Sequence, residues 1–248
     1  MCLIVFAWRP GHALPLIVAA NRDEFYARPT QALTAWEDAA GVYAGRDLEA
    51  GGTWLGVGPQ GRFAALTNIR DPGQALGVRS RGELVAAFLQ GELGVEAYLD
   101  QVASRSRQYS GFNLLVGDGA HLGFLHARDA APRLLGPGVY GLSNAGLDTP
   151  WPKLVKARSG LEGLLESADP QRLLTLLADA EPAAESELPE TGVGLATEKL
   201  LSSVFIASQT YGTRASTVLI VDDQGRRRLV ERSFGPFGGH LGEVEIMA

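Results

Sequence analysis

The chain opens with an unbroken apolar run over residues 2–8, a turn-forming Arg9-Pro10-Gly11-His12, and a second apolar run over 16–20. Runs this short, bounded by Gly and Pro, predict buried strands, here joined as a β-hairpin with a somewhat long loop. A second strand pair is predicted at 53–57 and 63–68, around Gly58-Pro59-Gln60-Gly61. The period then changes. Ser80-Arg81-Gly82-Glu83 has the spacing of a capping box, and Leu84, Val85, Phe88 and Leu89 follow at helical spacing. A second helix is expected over 95–104. Strands return at 111–117 and 121–126, joined by the hairpin signal Asp118-Gly119, and again at 139–144. Trp151-Pro152 opens a helix running to about residue 165, and Asp169-Pro170 caps another over 171–180. Residues 181–194 are acidic and rich in Pro and Ala, and read as an exposed loop. Strands at 216–221 and 227–233, around Asp222-Asp223-Gln224-Gly225, are expected to close the fold.

The order is strands, helices, strands, helices, strands, with no repeat and no linker that splits the chain. It predicts one α+β domain over 1–248, with sheets covered by helical layers. A hydrophobic fraction of 46% supports a sizeable core, and 31 glycines suit many short strands joined by turns. The net charge is −6, and the basic stretch Arg226-Arg227-Arg228 is only three residues long, so no nucleic-acid partner is expected. Cys2 is the only cysteine, which excludes disulfides within the chain and a cysteine-rich zinc site, and fits a reducing compartment. The run at 14–20 is too short to span a bilayer, and no charged leader precedes the first apolar stretch. A cytoplasmic location without a transmembrane segment is expected. His12, His121, His126 and His240 are scattered and form no metal-ligand pattern.

Chemistry concentrates at the amino terminus. A hairpin turning near Gly11-His12 sets Cys2 opposite roughly residues 20–22, beside Asn21-Arg22-Asp23-Glu24. The small second side chain favours removal of Met1, which leaves a thiol and a free α-amine on one residue. An α-amine titrates at about 7.7–8.0 and can serve as its own general base. A cation such as Arg22 near the thiol is expected to favour an accessible thiolate. Asp23 could orient Arg22 or the α-amine. On residue type alone Cys2 reads better as a small packing residue at the start of a buried strand, and it is the charged neighbourhood that favours a nucleophile. Asn68 and Asn144 end apolar strands, where a side-chain amide suits an oxyanion donor and where Asn is also an ordinary strand terminator. Arg214 could clamp a carboxylate bidentately.

Asn21-Arg22-Asp23-Glu24, preceded by an apolar strand and Met1-Cys2, resembles the signature of the NRDE family, also called the transport and Golgi organisation protein 2 family. Phe25-Tyr26-Ala27-Arg28-Pro29, Gly45-Arg46-Asp47, Gly51-Gly52-Thr53-Trp54-Leu55-Gly56, Ala65-Leu66-Thr67-Asn68, Gly111-Phe112-Asn113-Leu114, Leu142-Ser143-Asn144 and Tyr211-Gly212-Thr213-Arg214-Ala215-Ser216-Thr217 resemble it in order along nearly the whole chain. The resemblance implies an N-terminal-nucleophile hydrolase-like fold, a four-layer αββα sandwich of two mainly antiparallel sheets. By likeness to the cysteine-type amidases of that superfamily, Cys2 is the nucleophile, Arg22 and Asp23 support it, and Asn68 and Asn144 complete the catalytic set. Arg22 and Asp23 are adjacent here, a spacing that departs from those amidases. Asn21 and Arg214 are expected as substrate contacts. The implied activity is hydrolysis of a non-peptide amide or acyl bond with no cofactor required. The family resemblance also implies, as the alternative, a non-catalytic carrier of haem or of a lipid or acyl-CoA, with the hydrolase favoured by the Cys2–Arg22–Asp23 cluster.

Overall fold

The computed structural model describes residues 2–74 and 76–248. In chain order the strands and helices are β1 Cys2–Trp8, β2 Leu16–Phe25, β3 Thr30–Ala35, β4 Tyr43–Asp47, β5 Leu55–Val57, β6 Phe63–Asn68, α1 Gly82–Gln90 and α2 Val95–Ser104. They continue with β7 Phe112–Gly117, β8 Leu122–His126, β9 Arg133–Leu134, β10 Gly138–Leu142, α3 Pro152–Glu162, α4 Pro170–Leu177, α5 Leu195–Leu200, β11 Tyr211–Val221, β12 Arg227–Phe234 and β13 His240–Met247. The chain is α+β and carries two antiparallel sheets.

It divides into two compact units. The first takes the residues up to 27, 70–72 and those from 137 on. Its six strands run in the order β10-β1-β2-β11-β12-β13. Leu3, Val5 and Ala7 of β1, Ile17 and Ala19 of β2, and Val218 and Ile220 of β11 pack on Leu154, Ala157 and Leu161 of α3 and on Leu173, Leu174 and Leu177 of α4. β1 is buried along its whole length, which is why its run is continuously apolar rather than alternating. The second unit, 28–69 and 73–136, holds the sheet β3-β4-β5-β6-β7-β8-β9. Ala64, Leu66, Leu114, Val116 and Leu125 of that sheet pack against Leu84, Val85, Phe88 and Leu89 of α1 and Tyr98, Leu99 and Val102 of α2.

The local signals succeed where side chains carry them. Asp169 caps α4, its Oδ1 accepting from the backbone N–H of Gln171 (2.9 Å) and Arg172 (3.3 Å). Asp118 Oδ1 likewise closes the β7–β8 turn through the N–H groups of Ala120 and His121. The capping box at Ser80 is a correction. α1 has Arg81 at its N-cap with no side-chain cap, because Glu83 is drawn to Arg79 (2.6 Å) and to the Tyr109 hydroxyl instead.

Five elements have no counterpart among those expected from the sequence: β3, β4, β9, α5 and β13. So β12 is not the last strand. β13 covers it, pairing Glu243 with Arg232 (2.6 Å) and Glu245 with Arg228 (2.7 Å). It is an edge strand of half-exposed and exposed residues, and its charges discourage further pairing while blurring its strand signal. Among the described residues no helix is long and apolar enough to cross a membrane.

Candidate functional site

The β1–β2 hairpin fixes the start of the site. Its register pairs Cys2 with Arg22, then Leu3 with Asn21, Ile4 with Ala20 and onward to Trp8 with Leu16. Directly opposed residues project from the same face of a sheet. Leu3 and Val5 face the helices, so Cys2 and Arg22 lie on the other face. The same alternation splits the polar stretch in β2. Asn21 and Asp23 face α3 and α4, while Arg22 lies on the Cys2 face. Sequence adjacency therefore places Arg22 and Asp23 on opposite sides of the sheet rather than in one side-chain pair.

β2 remains a strand through these polar residues because β11 pairs along it from Tyr211–Phe25 to Val221–Leu16. Asn21, fully buried, donates from Nδ2 to the carbonyls of Leu177 and Val204, both at 2.9 Å, and its Oδ1 accepts from the Ser216 hydroxyl at 2.6 Å. Its carboxamide ties β2, β11 and the end of α4 together. Asp23 is also buried; its Oδ1 accepts from Thr213 Oγ1 at 2.8 Å, and its backbone carbonyl accepts from the Tyr211 hydroxyl at 3.1 Å. The register of β11 slips between Thr213 and Ala215, leaving Arg214 as a bulged residue. Arg214 Nη1 donates to the carbonyls of Phe25 (3.1 Å) and Tyr26 (2.8 Å), so its guanidinium is engaged in holding the end of β2.

Cys2 is 6% exposed. Burial pushes its thiol above the ordinary range, the Asp23 carboxylate pushes the same way, and Arg22 and a hydrogen bond from the Asp23 backbone N–H pull it back. The expected accessible, low-pKa thiolate is thus corrected: desolvation of the anion outweighs the neighbouring guanidinium. Met1, whose removal the sequence favours, lies outside the described residues.

Asn144 follows β10. The β1–β10 register ends at Ile4–Leu142, and continued by two residues it meets Cys2 at Asn144. Asn144 is fully buried, and its backbone carbonyl accepts from the Arg70 N–H at 2.7 Å. Asn68 is the last residue of β6, paired with Phe112 in the second unit, and is half-buried.

The sequence reading missed two cations. Arg70 forms a buried ion pair with Glu198 of α5 at 2.6 Å and stacks over the Trp151 ring at 4.5 Å. Lys153, the second residue of α3, is 3% exposed, and its Nζ has no hydrogen-bond partner among the described residues. Burial pushes its pKa below the ordinary lysine range, opposed first by Asp23. A signal for Lys153 exists: it shares the helical stripe of Leu154, Ala157 and Leu161, which makes it a charge on a core-facing stripe. Among the described residues no three His, Cys, Asp or Glu side chains gather as a metal site.

Comparison with known proteins agrees along the chain. The family model described as Transport and Golgi organisation 2 matches residues 1–236. The Transport and Golgi organization 2 homolog of Mus musculus is 36% identical over 94% of this chain and 93% of its own length. The Homo sapiens homolog is also 36% identical, with the same coverage. Transport and Golgi organization protein 2 of Drosophila melanogaster is 26% identical over 97% and 94%. Among solved structures, a Caenorhabditis elegans N-acylethanolamine-hydrolyzing acid amidase ortholog is similar at a TM-score of 0.48 and 13% identity, over 88% of this chain and 92% of that one.

Proposed function

The chain belongs to the Transport and Golgi organisation 2 family, and from that premise and the surroundings of Cys2 we propose that it is an acyl-transfer hydrolase acting on a non-peptide amide or related acyl bond. The carrying observation is the register that sets Cys2 against Arg22, with Asp23 next along β2 on the opposite face and Asn144 two residues beyond the end of the paired strand β10. A buried thiol held protonated at rest suits a nucleophile that loses its proton only during reaction. The reading requires the α-amine of Cys2 to be free. That amine takes the thiol proton as sulfur attacks the substrate carbonyl, forming the C–S bond and an oxyanion. The Asn144 amide is the donor nearest in register to that oxyanion. Collapse expels the amine or alcohol, which carries away the proton from the α-ammonium, and leaves a thioester on Cys2. Water, deprotonated by the same α-amine, then cleaves the thioester and releases the acid.

The burial that keeps the Cys2 thiol protonated also supports a second reading, a carrier for an acyl ligand. It disfavours Cys2 as a haem ligand, since an axial cysteine binds as the thiolate. One experiment separates the two. An acylating substrate analogue should modify Cys2 one-to-one, and Cys2→Ala should abolish both labelling and turnover of an amide and thioester panel. Saturable acyl-CoA or haem binding that survives Cys2→Ala, with no panel member consumed, would sink the hydrolase reading.

A further inference from the structure

Lys153 has no task in the acyl-transfer scheme, yet its position is costly. Burying an ammonium costs several kcal/mol unless a counter-charge repays it, and a helix that needed only packing here would carry an apolar residue, as it does at Leu154. Lys153 sits where α3 packs on β1, and its Nζ is buried without a hydrogen-bond partner among the described residues. Asp23 projects from β2 toward the same helical layer. Lys153's electrostatic neighbours are Asp23 first, then Arg70 and Cys2.

The ionisable groups around Asp23 come from every element packed there. Cys2 reaches it from β1, Arg22 and Glu24 flank it on β2, Tyr26 follows β2, and Tyr211 faces it from β11. Arg70 comes from the 70–72 segment, already closed by Glu198 and stacked on Trp151. Burial drives the Asp23 carboxyl upward, and the largest opposing attraction is Lys153, ahead of the Thr213 hydroxyl and Arg70.

We propose that Lys153 is a positioning residue whose buried ammonium is the counter-charge that keeps the Asp23 carboxyl ionised beside Cys2 at neutral pH. An ionised Asp23 accepts hydrogen bonds with both oxygens and can hold the α-amine of Cys2 against the thiol; a protonated carboxyl gives up part of that capacity. Its effect on catalysis rests on the acyl-transfer reading; its effect on Asp23 does not.

The test follows the Asp23 carboxyl by carbon-13 NMR titration in the parent protein, Lys153→Met and Lys153→Arg. Losing an opposite charge at this range should raise the Asp23 midpoint by about 1–3 pH units in Lys153→Met, while Lys153→Arg keeps it near the parent's. An unchanged midpoint in Lys153→Met overturns the proposal. The acid limb of turnover should move with the carboxyl; a limb that stays while the midpoint moves overturns the positioning role. Absence of turnover in the parent defeats the hydrolase reading and leaves the titration to decide the Lys153–Asp23 pairing. If Lys153→Met does not fold, nitrogen-15 NMR of the Lys153 side chain in the parent decides: an ammonium at neutral pH supports the proposal, and a neutral amine overturns it.

Discussion

Asn21→Ala probes whether the first residue of the polar stretch serves the fold or the ligand. The carboxamide makes three hydrogen bonds, to the carbonyls of Leu177 and Val204 and from the Ser216 hydroxyl. Leu177, Val204 and Ser216 are themselves buried, at 0%, 2% and 2% exposure, so water cannot replace the lost partner. A buried hydrogen bond contributes about 1 kcal/mol, and a carbonyl left unsatisfied costs about 1–3 kcal/mol. The Ser216 hydroxyl can rotate to another acceptor, so the two carbonyls dominate, and the expected loss is about 3 kcal/mol. Urea unfolding followed by circular dichroism measures it: the midpoint should fall while the slope stays unchanged. A loss below about 1 kcal/mol, or a stable variant that has lost only ligand binding, would refute the structural role and return Asn21 to the substrate-contact role suggested by the family resemblance.

Two further outcomes follow. Native Cys2 should react slowly with iodoacetamide at neutral pH and speed up as pH rises beyond the ordinary thiol range, and Arg22→Ala should be slower still, because burial favours the protonated thiol and Arg22 opposes it; rapid labelling at neutral pH that is indifferent to Arg22 contradicts this. In Gly212→Ala, the new methyl group would collide with the Tyr26 hydroxyl and the Ile206 carbonyl, so a loss of about 1–3 kcal/mol is expected in thermal or urea unfolding, and wild-type stability would show that the β11 entry is looser than described.

Elements whose signals are local are legible in the chain alone. β1, α2 and the capped start of α4 follow from continuous apolar runs, helical spacing and an Asp-Pro cap, each of which acts within a few residues. The first hairpin was legible as far as the pairing of Cys2 with Arg22, because the turn at Gly11 fixes the register of everything behind it. The order of family-like segments was legible too, and the family match over residues 1–236 agrees with it.

Tertiary structure decided the rest. β3 and β13 are edge strands: β3 is mostly small polar and alanine residues, and the alternation of Glu243 and Glu245 with Val244 and Ile246 in β13 spans too few residues to stand out before a neighbouring strand supplies hydrogen bonds. The Cys2 thiol illustrates the same limit: an adjacent Arg22 predicts an anion, but the desolvation that keeps it neutral comes from chain segments remote in sequence. Lys153 of α3 meets the field of Asp23 from far along the chain, and Glu198 meets Arg70 across 128 residues. Charge on a single chain position says nothing of its dielectric surroundings; only packing brings those groups out of water and into one another's field.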